Sequence, residues 1–301
     1  MTYADPVPRR PPTEERLHEV VELGKRDVPP TAADLRPYLA DKAGIVAAAA
    51  AKIAGDAGLR DLERELETTF ARFLADPVKT DPGCRAKLAV AEALRKLEAH
   101  AFDVFLRGIV YRQPEPTFGP PIDVAGPLRV CCAAALFESR HSLALLHAAA
   151  LLADEESTVR AGIASVLGSI GDDACESLLR LRVLVGDPEP QVIGACLQGL
   201  LAASLDRELD FVVQLMRDAD EGVVRLGLLA LGESRDERAL PVLREYVQLS
   251  VDKEVRTTAM LALAISRLAE ARAFLEDLAA NGAPARAAEA RAALASLGER
   301  D

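Results

Sequence analysis

Side chains able to do acid–base, metal or thiol chemistry are few in this chain, and their spacing is poor for it. The four histidines, His18, His100, His141 and His147, are scattered, and the closest two stand six residues apart. Ligands sharing one helix face stand three or four apart, and a metal needs converging ligands, so no metal or cofactor is expected. The five cysteines, Cys84, Cys131, Cys132, Cys175 and Cys196, form no C-x-x-C pair. Neighbours such as Cys131 and Cys132 project about 100° apart on a helix and read as small core residues. An odd number of cysteines points to free thiols in a reducing cytosol. No catalytic, cofactor-binding or metal-binding residue is assigned.

Two other patterns invite a binding role. A cation recurs at Arg85, Arg129, Arg160, Arg225, Arg256 and Arg286 and could line one face as a basic stripe. The Pro- and Gly-rich stretch Arg112–Pro127, RQPEPTFGPPIDVAGP, cannot be helical throughout and is long for a connection. It groups Tyr111, Arg112, Phe118 and Ile122 as candidate partner-binding residues. The competing reading is a brace packed against the neighbouring helices, with Ile122 and Val124 as anchors.

The elements that position these residues follow from a repeat. Val159-Arg160 opens VRAGIASVLGSIGDD, Val224-Arg225 opens VRLGLLALGESRDE, and Val255-Arg256 opens VRTTAMLALAISRLAE, with a degraded copy at Ala285-Arg286. Counting Ile193 as the unmatched member, the anchors step by about 30–33 residues, the period of stacked supersecondary units that cannot bury their apolar faces alone. Earlier anchors, Lys42, Arg85 and Arg129, stand farther apart, so the first part carries longer helices and loops on the same plan. The chain is 50% hydrophobic but 4% aromatic, without Trp. Ala and Leu must therefore form the core, and both favour helix. Aspartates at the joints, Asp154, Asp187, Asp218, Asp220 and Asp252, suit helix caps. The expected fold is all-α, a right-handed solenoid of about eight antiparallel helix pairs without sheet. Its inner helices start near Lys42, Arg85, Arg129, Arg160, Ile193, Arg225, Arg256 and Arg286.

The run from Asp154 through Val159-Arg160 and Val166-Leu167-Gly168 to Gly171-Asp172, with its copy from Asp218 to Gly232, resembles HEAT repeats. It is most similar to the bacterial short-repeat type also found in phycobilin lyases. In such arrays the recurrent Arg bonds a loop Asp of its own or a neighbouring repeat. The resemblance thus implies a structural ladder of Arg129, Arg160, Arg225 and Arg256 with Asp154, Asp187 and Asp252. Opposite Asp187 the ladder meets Ile193, so that carboxylate is expected to lack a partner. The implied function is a non-catalytic, protein-binding scaffold or adaptor using its concave face and loop edge. The alternative is a phycobilin-lyase-like, chromophore-handling protein. An alkylpurine-DNA-glycosylase-like enzyme is disfavoured by the absent Trp, and a HEAT-like hydroxylase by a single His-Glu pair, His18-Glu19.

A net charge of −11 repels phosphate backbones and anionic headgroups, so the expected partner is a protein, with no nucleic acid, membrane or metal. The most apolar run, Gly44–Gly55, is short, contains Lys52 and cannot span a bilayer. MTYADPVPRRPP lacks an apolar signal core, and a cytoplasmic location is expected. The chain divides into a disordered tail at 1–12, irregular helical repeats with a cap helix and the Pro-rich loop at 13–127, and a continuous regular array at 128–301.

Overall fold

Helix propensity and the spacing of the Ala/Leu positions set the architecture. The computed structural model describes residues 11–298, so most of the expected tail lies outside the described residues. Among those residues are α1 (Thr13–Gly24), α2 (Ala32–Leu39), α3 (Gly44–Asp56), α4 (Glu63–Arg72), the single turn α5 (Pro77–Thr80), α6 (Arg85–Lys96), α7 (Phe102–Gly108), α8 (Gly126–Glu138) and α9 (Ala144–Leu151). They continue with α10 (Ser157–Ile170), α11 (Asp173–Val185), α12 (Pro190–Ala203), α13 (Leu205–Asp218), α14 (Glu221–Glu233), α15 (Leu240–Leu249), α16 (Lys253–Ser266), α17 (Ala269–Asn281) and α18 (Pro284–Gly298). This is an all-α repeat fold. The strands among these residues form one ribbon of two residues each, β1 (Pro114–Glu115) and β2 (Ile122–Asp123), where no sheet was expected.

The chain separates into two compact units, 1–147 and 148–301, whereas the change in repeat spacing falls near residue 128. In the first unit α6 packs between α3 and α8, and the small faces of Ala47, Ala50, Ala54, Ala86, Ala93 and Ala135 are buried where they meet. In the second unit α10, α12, α14, α16 and α18 pack in succession, with α11, α13, α15 and α17 on their outer side. All eight expected inner helices are present, as α3, α6, α8, α10, α12, α14, α16 and α18.

Small residues make the close stacking possible. A Cβ on Gly168 would collide with the backbone of Gly199, whose carbonyl oxygen would lie at 2.9 Å, and one on Gly232 would lie 2.8 Å from Ala262 Cα. Caps define the helix starts. Asp172, Asp220 and Asp252 accept hydrogen bonds from the backbone N–H of Cys175, Val223 and Val255, satisfying donors that the first turn leaves open. No helix among the described residues is long and apolar enough to cross a membrane.

Candidate functional site

The Pro-rich stretch folds as a hairpin because Asp123 gathers its two ends. Asp123 Oδ1 accepts from Gln113 N at 2.9 Å and Ala125 N at 3.0 Å, and Oδ2 accepts from Arg129 Nη1 at 2.6 Å. Burial works to raise the Asp123 carboxyl, but these hydrogen bonds hold it below the ordinary carboxylate range. Arg129, 1% exposed, also donates to the Tyr111 carbonyl at 2.9 Å. Pro114 then pairs with Asp123 and Glu115 with Ile122, a two-rung ribbon at an edge where a proline is tolerated.

A second carboxylate fixes the other side. Glu115 Oε1 accepts from Gly83 N and from Gln113 Nε2, both at 2.7 Å, while Nε2 of the buried Gln113 donates to the Asp81 carbonyl at 2.9 Å. Beneath it lies a buried ion pair, Lys87 Nζ to Asp81 Oδ2 at 2.8 Å, with side chains 0% and 1% exposed. Lys87 Nζ also stands 5.4 Å from the Tyr111 ring centroid. Burial first, then Cys84, Asp81 and Asp123, push the Tyr111 phenol up to about 12.

Of the four candidate contact residues, Tyr111 is half-buried in this base and Arg112 Nη1 stands 3.6 Å from Asp123 Oδ2. Ile122 is 54% exposed, and Phe118 projects fully into solvent from the tip. The tip holds its own turn: the Thr117 hydroxyl accepts from Gly119 N and donates to the Pro120 carbonyl. The hairpin thus has a braced base and an open tip. Sequence reasoning missed Gln113, Glu115, Asp123, Asp81 and Lys87. It also placed Arg85 in the cation series, whereas Arg85 is exposed and Lys87 occupies the buried position. The six-residue spacing from Asp154 to Arg160 also separates Asp81 from Lys87 and Asp123 from Arg129.

The arginine series of the second unit links successive repeats. Arg160 donates to the carbonyls of Asp154 and Glu155 through Nη1, and its Nε and Nη2 form a two-pronged bond with Asp187 at 2.7 and 2.8 Å. Arg182 bonds the same carboxylate. Asp187 is therefore doubly partnered: its cation comes from the preceding repeat, so the hydrophobic Ile193 on α12 does not orphan it. Arg256 repeats the geometry, with Nη1 on the Ser250 and Val251 carbonyls and its fork on Glu289 at 2.8 and 2.9 Å. Arg225 bonds Glu254, and Arg286 donates to the Gln248 carbonyl. Asp252 serves as a cap and Asp154 as the acceptor of Glu156 N.

All five thiols are buried. Burial, the leading cause in each case, pushes Cys84, Cys131, Cys175 and Cys196 up to about 12 and Cys132 well above its ordinary value, the reverse of what a nucleophilic thiol needs. His100 and His141 both lie against the Phe102 ring, with centroids at 5.8 and 4.9 Å. Among the described residues no group of three or more His, Cys, Asp or Glu is placed to hold a metal. A cleft of ≈ 690 Å³ in the first unit is bordered by Arg60, Arg95 and Lys96. Each of these cations is matched by a carboxylate, on Glu98, Glu138 and Asp56 respectively.

Parallel inner helices, outer helices between them and arginine links from one repeat to the next are joined by one further observation. The family model described as HEAT repeats matches residues 209–295, from α13 into α18. Residues 209–295 carry HEAT repeats. The solved structure of Escherichia coli YibA aligns with 99% of this chain and 100% of its own at 15% identity, with a TM-score of 0.48, a likeness that carries no argument. No curated protein matches the chain. A HEAT-repeat array is a helical scaffold suited to protein interaction.

Proposed function

We propose that this protein is a non-catalytic, cytoplasmic scaffold that holds a partner protein, with the 112–127 hairpin as one contact. The observation that carries this reading is Phe118, a large apolar ring fully exposed at the tip of a hairpin with a hydrogen-bonded base. Prolines at 114, 116, 120 and 121 restrict the backbone before binding, so docking sacrifices little conformational entropy. Arg112 and Tyr111 add residue types enriched at interface hot spots. The raised thiols support a binding role over nucleophilic chemistry.

Affinity capture from native lysate, run in parallel with wild-type protein and Phe118→Ala, tests the reading by mass spectrometry. One stoichiometric protein recovered by the wild type and depleted with the variant is the expected result. A bound chromophore or oligonucleotide would overturn the scaffold assignment. Equal capture by both proteins would remove the hairpin tip from the contact.

A further inference from the structure

The second unit presents a surface of a different kind. Its inner helices run the same way. Near their starts, Gln191 Nε2 bonds Ser157 Oγ at 3.0 Å, and a Cβ on Gly194 would lie 3.1 Å from Leu226 Cδ2. Near their ends, Gly168 meets Gly199 and Gly232 meets Ala262. Every connection from an outer helix into the next inner helix therefore falls on one edge, where Arg160–Asp187, Arg225–Glu254 and the Arg286 bond to Gln248 tie neighbouring connections together.

Two of those connections carry the same apolar-then-acidic sequence. Leu184 and Val185, 67% and 70% exposed, close α11 and are followed by Asp187 and the exposed Glu189. Leu249, 70% exposed, closes α15, and Val251, 95% exposed, follows it and leads to Asp252, the exposed Lys253 and Glu254, which Arg225 bonds. Glu155 and Glu221, both exposed, belong to the same edge. On the opposite edge, acids alternate with Arg207, Arg235, Arg238 and Arg267. Single exposed apolar residues are ordinary, but here they recur in pairs beside carboxylates. The unit itself holds 26 acids against 16 bases, a net −10 of the chain's −11. Such a field attracts a positively charged surface and repels an acidic one.

We infer that this edge is a docking surface for a cationic amphipathic segment of a partner protein. Lysines or arginines of the segment face Glu189 and Glu221, and its apolar side chains cover Leu184–Val185 and Leu249–Val251. The inference does not depend on the hairpin.

The test is fluorescence anisotropy on the full chain with three labelled helical peptides: one of Lys and Leu, one of equal charge with Ser for Leu, and one with Glu for Lys. The Lys/Leu peptide binds, and the other two bind at least about tenfold more weakly, the scale of about 1.4 kcal/mol. Leu184→Ser/Val185→Ser, Leu249→Ser/Val251→Ser and Glu189→Gln/Glu221→Gln each weaken the Lys/Leu peptide. Glu233→Gln/Glu237→Gln, an equal charge change on the other edge, and Phe118→Ala leave it unchanged. All these positions are exposed, so the variants fold, as circular dichroism verifies. Equal binding of the Lys/Ser peptide, equal effects of the two Glu→Gln pairs, or serine variants that bind as wild type would each overturn the docking edge.

Discussion

Asp187 lies with its side chain 0% exposed between Arg160 and Arg182. The Arg160 hydrogen bonds, opposed by burial and helped by Arg182, hold its carboxyl well below the usual range. A carboxylate depressed in the fold contributes stability in full above its unfolded value of about 3.9 and loses it as pH falls through the folded value. Arg160→Ala leaves Asp187 with Arg182 and the Glu189 backbone N–H, and removes the guanidinium from the Asp154 and Glu155 carbonyls. It should reduce stability by about 1–3 kcal/mol at neutral pH, and the variant should lose less on acidification below about pH 5. Thermal melts of both proteins from neutral to acid pH check the two statements. The Lys87–Asp81 pair gives a sharper contrast. Lys87→Ala strands a buried carboxylate and should reduce stability by about 3–5 kcal/mol. Arg85→Ala, at an exposed side chain, should stay within about 0.5 kcal/mol. Denaturant unfolding that reversed this order would return Arg85 to the ladder. Lys87 escaped the sequence reading because a search for Val-Arg passes over a lysine, although its six-residue offset from Asp81 was visible.

At the scale of elements, the hairpin separates two kinds of residue. Gln113→Ala leaves the Asp81 carbonyl and Glu115 short of a donor in a buried base, and should reduce stability by about 1–3 kcal/mol. Phe118→Ala, at a fully exposed ring, should shift stability by no more than about 0.5 kcal/mol, while partner affinity falls about tenfold. Melting and partner titration of the two variants distinguish brace from contact. Stacking gives a further expectation. Gly168→Ala sets a methyl group against the Gly199 backbone, which a rotamer change cannot relieve, so the variant should be less stable by about 1–3 kcal/mol in a chemical melt. The eight inner-helix starts were legible because an Ala/Leu stripe recurs, with a cation at every start except Ile193. The ribbon was not, since two-residue strands flanked by prolines carry no alternating pattern. The open choice between contact and brace had a physical source: the base and tip of one loop meet different surroundings, and only the fold shows where one ends.

Over the whole molecule, charge and repeat regularity change together. The 147 residues of the first unit hold 21 acids and 20 bases, nearly neutral, whereas the second unit carries almost the entire excess of acid. The sequence average of −11 concealed that division. The arginine links of the second unit also have an order. Arg160 joins the start of α10 to the connection before α12, Arg225 joins α14 to the start of α16, and Arg256 joins α16 to α18. On α12 the corresponding position is Ile193, which can supply no such bond. In a linear array, stability is the sum of each repeat and its contact with the next, so a missing link leaves a seam where opening begins at lower free energy. Amide hydrogens should record it. In exchange followed by mass spectrometry, peptides covering α10 to the start of α12 and α16 to α18 retain protons longest. Those around Ala219–Val224 exchange first, at a rate set by opening between two blocks of repeats. Uniform protection across that boundary would mean that apolar packing alone, with Ile193 as part of it, carries cooperativity from one HEAT repeat to the next.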